Sequence, residues 1–246
     1  MLHVDQRRQR GRRTRERLIL ASLKLFGARS FKAVTTRAIA HAAGANQASI
    51  QYHFGGKRQL YLAVAHRITS DARAALQPLL ERARAERARG AGTHSSLIEI
   101  VRAFTRHLCS YADQGAAASF MTRELAHPDS GYATIYEGFI RDVHVEVTSL
   151  LAGATARLPR DQGAIIDAHA LLGAALSFAA GRKTFTQRSV RPTNSEQRID
   201  AIAERIAELT FRAMERRAGL RPTRLLPASP WRSSRTRPRK SRKARV

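Results

Sequence analysis

The chain has 246 residues, 43% of them hydrophobic but only 6% aromatic, with a single cysteine and a formal net charge of +25. That length can bury a sizeable core in one or two domains. The lone Cys109 excludes an internal disulfide framework and a cysteine-built zinc site, and it reads as a buried, inert thiol.

Abundant Ala, Leu and Arg, with no long β-branched alternation, predict an all-α fold. No run of eighteen uninterrupted apolar residues occurs, and the first thirteen residues lack the apolar centre of a secretory signal. A soluble, cytoplasmic protein with no membrane partner is therefore expected. The charge is segregated. Residues 1–58 carry thirteen Lys/Arg against two acids (+11), residues 59–216 are nearly balanced (+3), and residues 217–246 carry eleven Lys/Arg and no acid (+11). Two basic ends around a balanced middle point to a polyanionic partner.

Residues 1–13 read as a mobile basic arm, in which Arg7, Arg8, Arg10, Arg12 and Arg13 either follow a phosphate backbone, enter a minor groove or simply solubilise the chain. Thr14 to Ala28 predicts a first helix, with Leu18, Ile19, Ser22, Leu25 and Phe26 on one face. Phe31 and Val34 would plug the small core beneath the next two helices. Thr35 and Thr36 are capping residues for a helix over Arg37–Ala43, and Gly44 ends it. Asn46 can cap a second short helix, Gln47–His53, with Ile50 and Phe54 on its buried side, before Gly55-Gly56 breaks the chain again. Two short helices around a tight glycine turn form a helix-turn-helix, whose second helix enters a DNA major groove. Around it stand Thr36, Arg37, Asn46, Gln47, Ser49, Gln51, Tyr52, His53 and Lys57. Gln47 and Gln51 are suited to base edges. Thr36, Ser49, Tyr52, His53 and Lys57 are suited to phosphates, unless the Tyr52 ring turns into the core. A hairpin with a merely solvated polar face is the bland alternative.

Lys57 opens a long helix to about Ala75, and Pro78 is expected to start or kink a further one to Ala88, largely solvated. Ser95–Ala112 is amphipathic, with Leu97, Ile98, Val101, Phe104, Leu108 and Cys109 inward. Ala116–Ala126 is short and stops before His127-Pro128. Gly131–Leu158 shows Ile135, Phe139, Val143, Val147 and Leu150 on one stripe. Asp161–Lys183 is rich in small residues that permit close helix approach, in a core or between subunits. Ser195–Arg217 carries Ile199, Ile202, Ile206, Leu209 and Phe211. Residues 218–246, with four prolines and a dense basic run, are expected to be a disordered tail that adds sequence-independent DNA affinity.

The string AxxAGANQASIQYHFGGKxxL from Ala40, preceded by LKLFGARSFKAVTTRAIA, resembles the TetR family of bacterial transcriptional regulators. The stretch SFMTRELAHPDSGYATIYEGFIRDVHVEVTSLLAGA resembles the ligand domain of a CecR-like branch. The resemblance implies a helix-turn-helix domain over 14–58, then a helical effector and dimerisation domain over 59–217. It implies a homodimer built from 161–183 and 195–217, a double-stranded DNA operator and a small-molecule effector. It also implies that the helix from Lys57 links the two domains, so that its tilt sets the spacing of the DNA-reading heads. Candidates for the effector pocket are Phe104, His107, Phe120, Arg123, Glu124, Tyr136, Phe139, His144 and Phe178, with Arg123 and Glu124 either orienting a polar ligand or forming an exposed ion pair. Nucleophile-elbow, P-loop, GxGxxG and HExxH patterns are absent, and the nine histidines show no metal spacing, so neither catalysis nor a cofactor is expected. A palindrome-reading repressor is the leading reading. A nonspecific DNA-coating protein and an activator on the same fold are its rivals.

Overall fold

The computed structural model describes residues 2–91, 93–110, 115–181, 184–185, 187 and 196–217. Among these residues there are helices and no strands. Helix α1 is Leu2–Ala28, α2 Thr36–Ala42, α3 Ala48–Phe54 and α4 Lys57–Ala88. Then come α5 (Thr93–Ser110), α6 (Ala116–Ala126), α7 (Tyr132–Ile135), a π turn over Tyr136–Ile140, α8 (Arg141–Ala154), α9 (Gln162–Ala180) and α10 (Glu196–Arg217). The predicted tail, 218–246, lies outside the described residues.

The N-terminal head closes on Leu18, Leu23, Phe26, Val34, Ile39 and Ile50, all essentially buried. Phe31 packs beside them, stacked on Phe26 with ring centres 6.0 Å apart. Behind the head, α5 is the central element, packed on α4, α8, α9 and α10, while α6 lies between α1 and α9. Leu97, Ile100, Val101, Phe104 and Leu108 of α5 are buried there. Cys109 is free and buried, as a small apolar filler.

Three elements differ from expectation by more than a few residues at their ends. First, α1 begins at Leu2, so residues 2–13, expected as a basic arm outside the first helix, continue that helix. Arg, Gln and Leu are good helix formers, Gly11 is the only breaker, and the turn fixed by Leu18–Phe26 supplies the costly nucleus. Second, α4 runs through Pro78 without ending. Leu76 and Leu80 on either side of the proline, with Ala83 a turn on, are all buried on one face, and that packing outweighs the missing hydrogen bond. The last turns are not wholly solvated either. Arg84 and Arg87 reach the buried Glu146 of α8 at 3.1 and 3.2 Å.

Third, the expected single helix over Gly131–Leu158 is two α-helices joined by a π turn. The stripe Ile135, Phe139, Val143, Val147 repeats every four residues and outruns an α-turn of 3.6 residues. One wider turn restores the phase, and all four residues are buried. Gly138 sits within that turn against α4, where an added Cβ would meet Thr69 Cγ2 at 2.2 Å. Thr69 donates its hydroxyl to the Thr134 carbonyl at 3.3 Å, tying α7, just before the turn, to α4.

Asp161 caps α9 by accepting from the Ala164 amide at 3.0 Å. By length and composition alone α9 could cross a membrane, with a mean hydropathy of 1.5 over eighteen residues. It packs instead on α5, α6, α8 and α10, and it carries Asp167 and His169. Its outer side, with Ile166, Ala170, Gly173, Ala174 and Ser177, is exposed. On α10, Ile199, Ile202 and Phe211 are buried, Ile206 is partly so, and Leu209 is exposed.

Candidate nucleic-acid interface

The helix-turn-helix is assembled by short-range chemistry. The Ala38 amide donates to Thr35 Oγ1 at 3.1 Å, capping α2. Gly44 turns the chain at φ +56, a conformation that glycine adopts without Cβ strain. The Ala48 amide then donates to Asn46 Oδ1 at 2.9 Å, which starts α3 one residue later than expected. α3 is only seven residues long and would not hold alone. Ile50 anchors it, fully buried, and Phe54 is partly buried beneath the Arg15 guanidinium, 5.1 Å from its ring centre. One side of α3 is therefore fixed, and the other faces outward.

On that outer side Gln47, Gln51 and Tyr52 are exposed. Tyr52 is 84% exposed, so its ring stands off the head's core rather than entering it. Gln47 Nε2 donates to Thr36 Oγ1 at 3.0 Å, linking the N-terminal end of α3 to the start of α2. Its second Nε2 proton and its Oε1 remain for a base edge. Arg37 and Asn46 are exposed, whereas Thr36, Ser49 and His53 are half-buried. His53 stacks edge-on against Tyr52, with ring centres 4.9 Å apart. Lys57 is also half-buried, with Nζ 4.2 Å from the centre of the Phe31 ring. Desolvation there pulls its pKa below the ordinary lysine value. Phe31 and Phe54 are thus seats for the two cations Lys57 and Arg15, a role that hydrophobic spacing alone did not reveal.

The sequence's candidate ligand residues are scattered by the fold. Phe104, Phe120 and Phe139 are fully packed in the core. Tyr136 stacks on Tyr132 in the π segment, His144 lies 5.7 Å from His169, and Phe178 contacts Phe185. Burial and the neighbouring His169 lower the His144 pKa. His107 borders a groove of about 520 Å³ between α4 and α5, with Arg82, Glu99, Arg102 and Arg106, and none of the other eight candidates lines that groove.

Arg123 and Glu124 are neither an exposed pair nor directed at one point. Arg123 is half-buried and donates to the carbonyls of Phe26, Gly27 and Arg29, the last two at 3.0 and 2.6 Å. It thereby closes the C-terminal end of α1. Glu124 is buried and accepts the Tyr61 hydroxyl of α4. Burial, and then the Glu124 carboxylate, push the Tyr61 pKa well above the ordinary phenol value. Tyr61 also packs on Phe26, Phe31 and Phe120 with ring centres 4.8, 5.1 and 4.8 Å away. Adjacent residues of α6 thus hold α1 and α4 together, and Tyr61 is the residue that sequence reasoning missed. Among the described residues no group of three or more His, Cys, Asp or Glu side chains could hold a metal.

Comparison with known proteins fits this geometry. The family described as bacterial regulatory proteins, tetR family, matches residues 18–64. The C-terminal domain of HTH-type transcriptional dual regulator CecR matches residues 93–214. HTH-type transcriptional dual regulator CecR of Shigella flexneri is 30% identical over 200 residues, covering 80% of this chain and 89% of its own. Among solved structures, an HlyIIR mutant protein matches at a TM-score of 0.56 and 20% identity, over 79% of this chain and 93% of its own. AmtR of Mycobacterium smegmatis matches at 0.52 and 19%, over 85% and 96%. At those identities the structures speak for the fold alone.

Proposed function

Since the chain belongs to the TetR family of bacterial regulatory proteins, and is a DNA-binding transcriptional regulator rather than an enzyme, we propose that it is a cytoplasmic homodimeric repressor released from a palindromic operator by a small-molecule effector. The observation that carries the DNA half of this reading is the outward row of Gln47, Gln51 and Tyr52 on a helix fixed from behind by Ile50. Gln47 and Gln51 read base edges. Thr36, Ser49, Tyr52, His53 and Lys57 hold phosphates, with Arg37 and Asn46 at the margin.

One seven-residue helix reads too few bases for specificity, and a two-fold axis doubles the contacts. The exposed side of α9, made of Ile166, Ala170, Gly173, Ala174 and Ser177, supports a dimer seam formed with α10. Small side chains let helices meet closely, and an apolar face gains by leaving water. Two recognition helices then enter successive major grooves ~34 Å apart. In this division residues 14–58 form the DNA head and 59–217 the effector and dimer unit, while 218–246 add charge.

Release works by population shift: an effector that binds better to a different head spacing weakens operator binding by that difference in affinity. The contacts of Arg123 and Glu124 with α1 and α4 make α6 the element through which such a change reaches the head. The relative's name, dual regulator, favours a second reading in which the same DNA contact also activates some promoters. A reporter on the regulated promoter in a deletion strain separates the two: expression that rises means repression, and expression that falls means activation. Anisotropy titration of the full-length protein against its own upstream DNA and a scrambled duplex tests the operator itself. Equal affinity for both at two salt concentrations means that the upstream site is not the operator, and a genome-wide binding map then decides between a distant site and nonspecific coating.

A further inference from the structure

The reading of α3 as the recognition helix leaves the first three turns of α1 without a role. They are helical from Leu2, so their arginines are carried on a rod rather than on a loose arm. The rod passes beside α3: a Cβ built on Gly11 would lie 3.8 Å from His53 Cε1 at the end of that helix. On the N-terminal side of that contact Gln6, Arg8, Gln9 and Arg10 are exposed.

The helical register sorts the arginines. At about 100° per residue, Arg8, Arg12 and Arg15 fall in one row, on the side where Gly11 meets His53 and where Leu18, Ser22 and Phe26 are buried further along. Arg10 and Arg13 fall on the opposite side. Arg15 already sits over Phe54 of α3, whereas Arg8 and Arg12 are exposed. From Arg8 to Arg15 the row is about 10 Å long, comparable to three base pairs along a strand at about 3.4 Å each.

Charge pairing tells the same story. In the body, Arg67, Arg82, Arg84, Arg87, Arg102, Arg106, Arg141 and Arg157 have carboxylate partners, while isolated arginines such as Arg73, Arg89 and Arg160 have none among the described residues. Among the described residues, Arg8, Arg10, Arg12 and Arg13 form no ion pair. Their charge is therefore available to an external polyanion.

We propose that the N-terminal turns of α1 are a second DNA-contact element, a straight basic rail whose Arg8 and Arg12 hold the phosphate backbone flanking the bases read by α3. The contact carries no base information. It adds affinity, fixes register and extends the protected DNA beyond the half-site.

The test compares two double variants of the full-length protein with equal charge loss, Arg8→Gln with Arg12→Gln, and Arg10→Gln with Arg13→Gln. Each is titrated by fluorescence anisotropy on the upstream and scrambled duplexes from 50 to 200 mM salt, after far-UV circular dichroism has checked the helix. Four phosphate contacts per dimer at about 0.9 each steepen the log–log salt dependence by about 3.6. The wild type should therefore lose about 150-fold more affinity across that range than the Arg8/Arg12 variant. The Arg10/Arg13 variant should stay within a few-fold of wild type. Equal flattening by both variants overturns the rail in favour of diffuse attraction, and no flattening by the first overturns it outright. The operator reading fails separately, if the wild type shows no preference between duplexes, and the slopes on the scrambled duplex still decide the rail.

Discussion

Replacing Arg123 with methionine keeps most of the stem and removes the donors. Three carbonyls at the end of α1, those of Phe26, Gly27 and Arg29, then lose their partner. A hydrogen bond to a charged group contributes about 1.5–3 kcal/mol when measured singly, so a plain sum starts near 4.5 kcal/mol. The side chain is only half-buried, however, and water can reach the abandoned carbonyls. About 2 kcal/mol for the three together is the expected loss. At a urea m-value of about 2 kcal/mol/M, the unfolding midpoint should fall by about 1 M. The assay is equilibrium unfolding by circular dichroism at fixed protein concentration, since a dimer's midpoint depends on concentration. Hydrogen exchange across residues 24–30 should show the loss locally. Arg123→Lys should be intermediate, because a compact ammonium cannot fork across three acceptors. An unchanged midpoint together with unchanged exchange would mean that α1 is held by packing alone, and the coupling assigned to α6 would go with it.

Further outcomes follow from the same geometry. Gln47→Ala should alter sequence preference at a cost of roughly 1–3 kcal/mol on the preferred operator, and identical ranking of operator variants would remove it from base reading. Lys57→Ala should weaken all duplexes alike and flatten the salt slope by about 1.8 for the two contacts of a dimer; a loss confined to one sequence would contradict the phosphate role. His107 is buried, and desolvation lowers its pKa from the ordinary 6.5 despite the opposing pull of Asp71. The unfolded chain therefore binds the proton first, and stability should fall as pH drops through about 6.5 towards the lower folded value. His107→Gln should flatten that acid-side loss in midpoint measurements from pH 7.5 to 5.5, and parallel curves for the two proteins would refute it.

The head was legible because its signals are local. Thr35, Gly44, Asn46 and Gly55 each act within three or four residues, and Ile50 needs only one apolar position to face inward. The short helix Ala116–Ala126 could likewise be read to its last residue, since His127-Pro128 stops it. Arg123 was different. Its acceptors lie more than ninety residues away, and Tyr61 is sixty-three residues from Glu124, so no local pattern distinguishes a clasp from a solvated pair. Charge also misled at the N-terminus, where a run of arginines suggested a loose arm although their helix propensity favoured continuation. Helical spacing in the second domain placed Phe104 and Phe139 on inward faces, gave no such signal for Phe120, which is also core, and could not outline a pocket.

The unbroken course of α4 has a mechanical consequence. Thirty-two residues without a break at Pro78 make a strut about 48 Å long, with the DNA head at one end. A tilt of only ~5° about its far end displaces the head by ~4 Å, more than the ~3.4 Å between successive base pairs. In the proposed dimer, a partner related by the two-fold axis and tilting likewise doubles the change in span. At Thr69, where α7 and the π turn touch α4, the same tilt moves the helix by about 2.5 Å, so in the proposed mechanism that wall has to yield by about as much for the heads to fall out of step with the groove. Because the helix continues through its proline, one hydrogen-bonded element joins the head to the far end of that strut.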